Sequence, residues 1–298
     1  MAEAITSPTE LNLRLRRTSG PREVRRTRRM CAVARPCVRP AHRTEALAAE
    51  KTECCAVLMM HGSLSYGRVA FLDTLPSEAR AAFNRLGTPR CYSAGDVLIY
   101  EGDHAQELVV LHVGLVKVTA RLDRDRESLV DIRVAGDIVG EVAAMGVGPR
   151  SATVTACGEV AATVVPRREL ESFLLAHPEI SLSLMRMVCG RLRRSDRLRL
   201  EFGGYPVPVR LARVLLELAA TYGQRERNSL RIDVALSQPE FAALTGAGTR
   251  SVQKALARLR QKRIITTDNR RTYVRDLDGL HETALLGARN GSTPRKPH

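Results

Sequence analysis

Glu141 and Arg150 stand nine positions apart in the stretch Gly140–Val154, GEVAAMGVGPRSATV. Together they suit a small ligand that carries both a hydroxyl and an anionic phosphate. A carboxylate accepts hydrogen bonds from a sugar hydroxyl. A guanidinium makes paired, charge-assisted bonds to phosphate oxygens, each worth about 1.5–3 kcal/mol. A short helix opening at Gly140 would aim unpaired backbone N–H groups at the same anion. The plain alternative is a surface loop that closes a β-hairpin. A Gly-Glu pair, a short apolar turn and then P-R-S-A-T-V is a far more specific pattern than a lone glycine motif, and it favours the pocket.

A second group of reactive side chains lies near the C-terminus. Thr249, Arg250, Ser251, Gln253 and Lys254 open a segment in which Val252, Leu256 and Leu259 recur at helical spacing. The apolar set packs inward, so the polar set projects outward. Arginine pairs bidentately with guanine and glutamine with adenine, while threonine and serine bond bases or phosphates. Arg258, Arg260, Lys262, Arg263, Arg270 and Arg271 follow, placed to meet phosphates. Their bland reading is an ordinary solvated surface.

The elements that must position these residues show in the pattern. Ser77 and Glu78 start a helix whose face is Ala79, Ala82, Phe83 and Leu86. Short runs then alternate with glycines: Val97–Tyr100, Leu108–Val113, Leu115–Ala120, Leu129–Val134, Ala152–Ala156 and Ala161–Val165. Short strands at regular spacing indicate a sandwich or β-roll. Leu170–Leu175 is a short helix, and a long amphipathic helix runs from Pro178 to about Phe202. A heptad seam through Leu184, Val188, Arg191, Ser195, Leu198 and Phe202 suggests pairing with a twin. Gly203-Gly204, Pro206 and Pro208 make a hinge. Helices at Val209–Tyr222, at Gln238–Thr245 and from Thr249 to about Lys262, with Gly246-Ala-Gly248 between the last two, have the form of a helix-turn-helix. Ile264–Thr267, a turn at Asp268-Asn269 and Thr272–Arg275 read as a hairpin wing. The expected units are an arm at 1–58, a β-roll at 59–177, a dimerisation helix at 178–203, a DNA-binding domain at 204–282 and a disordered tail at 283–298.

The 298 residues carry 47 lysines and arginines against 32 acidic residues, a net charge of +15 that favours a polyanionic partner. From Arg14 to Arg43 there are eleven arginines and one acidic residue, Glu23, with few large apolar residues. Such a segment cannot offset its ordering entropy, so 1–58 reads as a disordered basic arm. It would contact nucleic acid, or sense redox through Cys31, Cys37, Cys54 and Cys55; translation from Met59 or Met60 would leave it out. The seven cysteines are odd in number and form no C-x-x-C pair, which excludes a secreted disulfide scaffold. Cys91, Cys157 and Cys189 read as small buried hydrophobes. No apolar run is long enough for a membrane span, and no secretory signal is visible, so the expected location is the cytoplasm.

These residues resemble the cyclic-AMP receptor protein (Crp/Fnr) family of bacterial transcription regulators. The resemblance runs from Phe71 to Leu280. It rests on the Gly140–Val154 cassette, on A-H-P-E-I before the long helix, on R-L-A-R-V-L-L-E-L-A after the hinge and on the winged helix-turn-helix. It implies an α+β architecture: a cyclic-nucleotide-binding β-roll, a long dimerisation helix and a C-terminal winged helix-turn-helix. It also implies a ligand site at Gly140, Glu141, Val142, Arg150, Ser151, Arg191, Ser195 and Asp196. In that site Glu141 holds the ribose, Arg150 the phosphate and Ser195 the adenine, and Asp196 comes from the other subunit. Cyclic AMP is the implied effector; double-stranded DNA, a second copy of the chain and RNA polymerase are the implied partners. Three departures stand out. Asp196 puts negative charge beside the base. Thr249 and Arg250 stand where the best-known member has arginine and glutamate. The cysteines lack the spacing of the iron–sulfur branch.

The expected function is therefore a homodimeric DNA-binding regulator gated by a cyclic nucleotide. The alternatives are a ligand-independent regulator of the same fold and one that senses redox or metal through the N-terminal cysteines. A third alternative, a β-roll that regulates or performs catalysis in an enzyme, is disfavoured, because the H-E-x-x-H, G-x-S-x-G and P-loop motifs are all missing.

Overall fold

The computed structural model describes residues 69–123 and 126–289. The basic arm, its cysteines and residues 290–298 lie outside the described residues. A 3₁₀ turn at Phe71–Thr74 and helix α1 (Ser77–Phe83) lead into eight strands: β1 (Thr88–Tyr92), β2 (Val97–Ile99), β3 (Leu108–Val113), β4 (Leu115–Arg121), β5 (Glu127–Val134), β6 (Ile138–Val139), β7 (Thr153–Ala156) and β8 (Val160–Val165). They form two antiparallel four-stranded sheets, ordered β1-β8-β3-β6 and β2-β7-β4-β5. All six expected runs appear as strands. Two further strands lie outside those runs: β1 carries Pro89, and β6 has only two residues. Proline is tolerated in β1 because that strand lies at a sheet edge.

Strand β3 explains why the roll holds together. Its run Leu108–Leu111 is buried throughout. Val109 and Leu111 face the second sheet with Val116, Val139, Val154 and Val160. Leu108 and Val110 face the other way, toward Phe71, Phe83, Leu170, Ile180 and Leu184. A strand covered on both faces reads as a continuous apolar run rather than an alternating one.

Helix α2 (Glu141–Ala144) is a single turn between β6 and β7, and helix α3 (Arg167–Ala176) closes the roll. Helix α4 (Pro178–Gly204) is 27 residues long with Pro178 in its first turn. It continues through Gly203-Gly204, so the break comes at Tyr205-Pro206, where proline lacks the N–H a helix needs. The heptad seam also needs correction. Leu184 is buried in the roll, Arg191 is bonded to the roll, and Ser195, Leu198 and Phe202 face the C-terminal domain. Most of that stripe turns toward its own chain, but Val188 stays exposed, and Ser195 and Phe202 lie at the open rim of the cleft. The outward face carries Leu182, Met185, Cys189, Leu192 and Asp196, which keep the same three-four spacing. The cysteines differ from expectation too. Cys157 lies in the β7–β8 turn and Cys189 on that outward face, both exposed, and Cys91 is half-buried.

The C-terminal domain contains α5 (Val207–Tyr222), β9 (Gly223–Glu226), β10 (Ser229–Ile232), α6 (Gln238–Thr245), α7 (Thr249–Gln261), β11 (Ile265–Asp268), β12 (Arg271–Val274) and α8 (Leu277–Arg289). Its four strands form one sheet in the order β11-β12-β10-β9. Helix α8 crosses the position where a tail was expected at 283. Leu280 and Ala284 are fully buried in the domain core, which fixes the helix in place.

The two halves are joined at β4 and β5. Leu129 and Ile132 of β5 belong to the C-terminal core. Lys117 Nζ lies 2.6 Å from Glu240 and donates to the Ala235 carbonyl. Glu240 also completes a capping box with Ser237 at the start of α6. Phe202 packs on the turn at Gly246, whose φ is +56°.

Two outcomes are expected. A Cβ at Gly246 would stand 2.7 Å from the Phe202 ring in a left-handed backbone. Gly246→Ala should therefore cost about 1–3 kcal/mol, seen as a lower melting temperature. Burial acts to raise the Glu240 pKa, but hydrogen bonds from Lys117 and Ser237 outweigh it and hold the carboxyl below its ordinary range. Its stabilisation is then present above the unfolded value of about 4.3 and is lost as pH falls through the folded value. Glu240→Gln should be less stable than the parent at neutral pH, and urea unfolding should show the gap closing below about pH 4.

Candidate effector pocket and nucleic-acid interface

The cassette folds as a strand, one helical turn and a returning loop. Gly140 caps α2 with a φ of +81°. A Cβ there would collide with the Arg150 guanidinium, so glycine is needed for close approach as well as for the turn. The Arg150 backbone is clamped: its N–H donates to Asp103 O and its carbonyl accepts from Gly102, both at 2.8 Å. Its side chain is buried, donating to Gly140 O at 3.0 Å and to Glu107 Oε2 at 3.1 Å. Burial pulls the Arg150 pKa down, and Glu107 and Asp103 oppose that shift. An arginine keeps its charge in either case.

Glu141 begins α2 and pairs with Arg191 of α4. Arg191 also donates to Ile138 O at 3.0 Å. One cavity of about 70 Å³ gathers Gly140, Glu141, Val142, Arg150, Ser151 and Arg191. Ile99, Val118, Val139 and Val154 give it an apolar lining. Six of the eight expected ligand residues therefore converge. Ser195 instead lines a separate cleft of about 270 Å³ between β5, α4, α5 and α6. Asp196 is exposed on the outward face, 3.7 Å from Arg199. Two residues of the first cavity's surroundings escaped sequence reasoning. Glu107 holds Arg150 across 43 positions, a link with no local signal. Arg133 is a buried guanidinium on β5 that lines the cavity and pairs with Asp131. A charged residue at a sheet-facing position was the available clue.

Helix α7 presents the second candidate surface. Val252, Ala255, Leu256 and Leu259 are buried, and Arg250, Ser251, Gln253, Lys254 and Arg258 are exposed. Thr249 is half-buried at its start. Gln253 donates to Gln238 Oε1, which ties the outer faces of α6 and α7 together. No acidic residue stands in the first turn of α7, so its positive dipole end is not offset there. The wing turn falls at Asn269-Arg270, both with positive φ, one position beyond the expected Asp268-Asn269. Asp268 and Arg271 pair across the hairpin instead. Arg270 and Arg271 are exposed beside that turn. Among the described residues no group of His, Cys, Asp and Glu could hold a metal ion, and no helix is long and apolar enough to cross a membrane.

Comparison with known proteins agrees with this division. The family model for a cyclic nucleotide-binding domain matches residues 89–177, and that for a Crp-like helix-turn-helix domain matches 209–283. A CRP-like cAMP-activated global transcriptional regulator of Mycobacterium tuberculosis is 32% identical over 73% of this chain and 97% of its own length. The anaerobic regulatory protein of Bacillus subtilis is 25% identical over 66% of this chain and 83% of its own. Among solved structures, a CRP-family transcriptional regulator from Thermus thermophilus superposes with a TM-score of 0.56 at 27% identity, covering 65% of this chain and 96% of that one.

Proposed function

The chain belongs to the Crp/Fnr family of transcription regulators, and from that premise we propose that it is a homodimeric regulator whose DNA affinity is set by a cyclic nucleotide held at Glu141 and Arg150. The observation that carries this reading is the meeting of those two side chains in one cavity, with a buried arginine whose backbone is fixed from both sides. The ligand phosphate takes Arg150 and the ribose hydroxyl takes Glu141. Both groups already have partners, Glu107 and Arg191, so binding exchanges ion pairs rather than filling empty sites. The cavity is small for a nucleotide, and the Glu141–Arg191 pair must yield to admit one. Cyclic AMP is the first effector to test, because the Mycobacterium tuberculosis relative is named as cAMP-activated.

The second copy docks on the outward face of α4. Leu182, Met185 and Leu192 are at least half exposed there, at coiled-coil spacing. Asp196 lies on that face and reaches toward the partner, as a residue serving the other subunit's pocket would. Ser195 stays on the inner side and joins the site only if α4 and β5 shift. Paired α4 helices set two α7 helices for successive major grooves of double-stranded DNA. Thr249, Arg250, Ser251, Gln253 and Lys254 meet base edges and nearby phosphates, and Arg258, Arg270 and Arg271 contact the backbone. RNA polymerase is the further partner, and the cytoplasm the site of action. The satisfied charges in the cavity also favour a second reading, in which the same DNA-binding dimer needs no ligand.

Calorimetric titration with cyclic AMP and cyclic GMP separates the two. Under the first reading Arg150→Lys, which keeps the charge but loses the fork, weakens nucleotide binding about 100-fold or more. Undiminished binding by a folded variant rules out this pocket. On DNA, Lys254→Ala should weaken the cognate site about tenfold more than random sequence, as a base contact does. Affinity for both should fall steeply with salt. Equal losses on the two DNAs would make Lys254 a phosphate contact.

A further inference from the structure

A connected row of charges runs from the effector cavity to the C-terminal domain. Arg133 on β5 lines the cavity beside Glu141 and Arg150. Its guanidinium is paired with Asp131, two residues earlier on the same strand. Asp131 also stands 3.5 Å from Arg194 of α4. Arg194 in turn holds Glu217 of α5 at 2.6 Å. Burial alone would lower the Arg194 pKa, but Glu217 and Asp131 outweigh it and hold it above its ordinary value. Charges alternate along the row, from buried Arg133 through half-buried Asp131 to partly exposed Arg194 and Glu217. Removing or diverting one leaves its neighbour uncompensated. Arg194 lies three positions beyond Arg191, which grips Glu141. One stretch of α4 therefore touches the cavity and the DNA-binding domain. The row also borders the 270 Å³ cleft lined by Leu198, Phe202 and Tyr222, so Arg194 has room to swing without repacking the core.

We propose that Arg133 is a further effector-contacting residue, and that the row Arg133–Asp131–Arg194–Glu217 couples occupancy of the cavity to the seating of the DNA-binding domain. The proposal rests on the reading above that the cavity takes a nucleotide. Anionic oxygens entering the cavity compete with Asp131 for Arg133. Asp131 then turns its charge on Arg194 and draws it away from Glu217. That contact ties α5 to α4, and its loss frees the DNA-binding domain from the arrangement held without ligand. The ligand-free row thus maintains a state of low DNA affinity. Ligand shifts the population because it prefers the released state.

The test uses the full chain and three variants: Arg133→Met, Arg194→Met and Glu217→Gln. Fluorescence anisotropy gives DNA affinity with and without saturating cyclic AMP or cyclic GMP, calorimetry gives nucleotide affinity, and thermal melting confirms folding. Arg194→Met and Glu217→Gln should bind DNA about tenfold more tightly than the parent without nucleotide, and the gain on adding nucleotide should shrink by a similar factor. Arg133→Met should weaken nucleotide binding about tenfold. Glu217→Gln is nearly isosteric and decides the matter alone if Arg194→Met does not fold. Parental DNA affinity without nucleotide in the folded variants overturns the row as a coupling element. Parental nucleotide affinity in Arg133→Met overturns its ligand contact. A parent protein that binds neither nucleotide overturns that contact together with the function proposed above. The seating role of Arg194 then stands or falls on the ligand-free DNA affinities.

Discussion

Helix α4 has to satisfy three surroundings at once, and the architecture depends on how its faces are shared. Ile180 and Leu184 bury themselves in the β-roll. Half a helix further on, Arg191 and Arg194 turn to the roll's carboxylates, Glu141 and Asp131. Leu198 and Phe202 then lean on the C-terminal domain. What remains is a stripe of exposed apolar residues whose burial needs another molecule. A helix held by both the roll and the C-terminal domain is constrained at several contacts at once. Under the proposed function, α4 would be the route from pocket to DNA-reading surface.

The junction between the halves is built from two kinds of contact with different tolerances. Leu129 and Ile132 enter the C-terminal core as ordinary apolar residues. Such packing is non-directional and survives small displacements. The polar links are directional: Lys117 to Glu240, Tyr222 to the Ile132 carbonyl and Arg194 to Asp131 and Glu217. They select one register among those that hydrophobic packing would permit. The cleft beside Arg194 shows that packing there is incomplete, so the polar links carry the choice of arrangement.

Much of this was legible in the sequence, for reasons that differ by element. Strand β3 announces itself as an apolar run between Gly102 and Gly114, and β8 as one between Gly158 and Pro166. The α6–α7 pair is marked by Gly246-Ala-Gly248 between two helical periods, while the capping box of Ser237 and Glu240 emerges from the structure. The β9–β10 hairpin was not legible, because its residues are mostly polar and half-exposed and its turn uses Arg227 at a φ of +51° instead of glycine. Helix α8 has an apolar face at Leu277, Leu280 and Ala284, a readable helical period that straddles the expected end of the domain at 282. The α4 seam failed for a deeper reason. A helix with apolar residues on several faces admits more than one heptad frame, and only the folded surroundings tell which frame is already covered. In the candidate site the local cassette was readable and its distant partners were not. Glu107, just before β3, meets Arg150, and Arg133 of β5 lines the cavity, only because the roll brings these distant segments together.

The polar groups of the cavity are paired before any ligand arrives, and this shapes what binding can achieve. A nucleotide phosphate must displace or share Glu107 at Arg150, and a ribose must do the same with Arg191 at Glu141. The net gain from each exchange is the difference between two charged hydrogen bonds, well below the roughly 1.5–3 kcal/mol of either one alone. Under the proposed function such a site would discriminate, because a ligand lacking one of the two groups could not replace the ion pair it has to displace. On that reading, binding at Glu141 would rearrange α4 contacts, since Arg191 pairs with that carboxylate. Arg191 is anchored to the Ile138 carbonyl as well, so its release disturbs the β6–α2 corner on which Gly140 and its left-handed turn depend. Under the proposed function, ligand discrimination and signal transmission would come from the same exchange of partners.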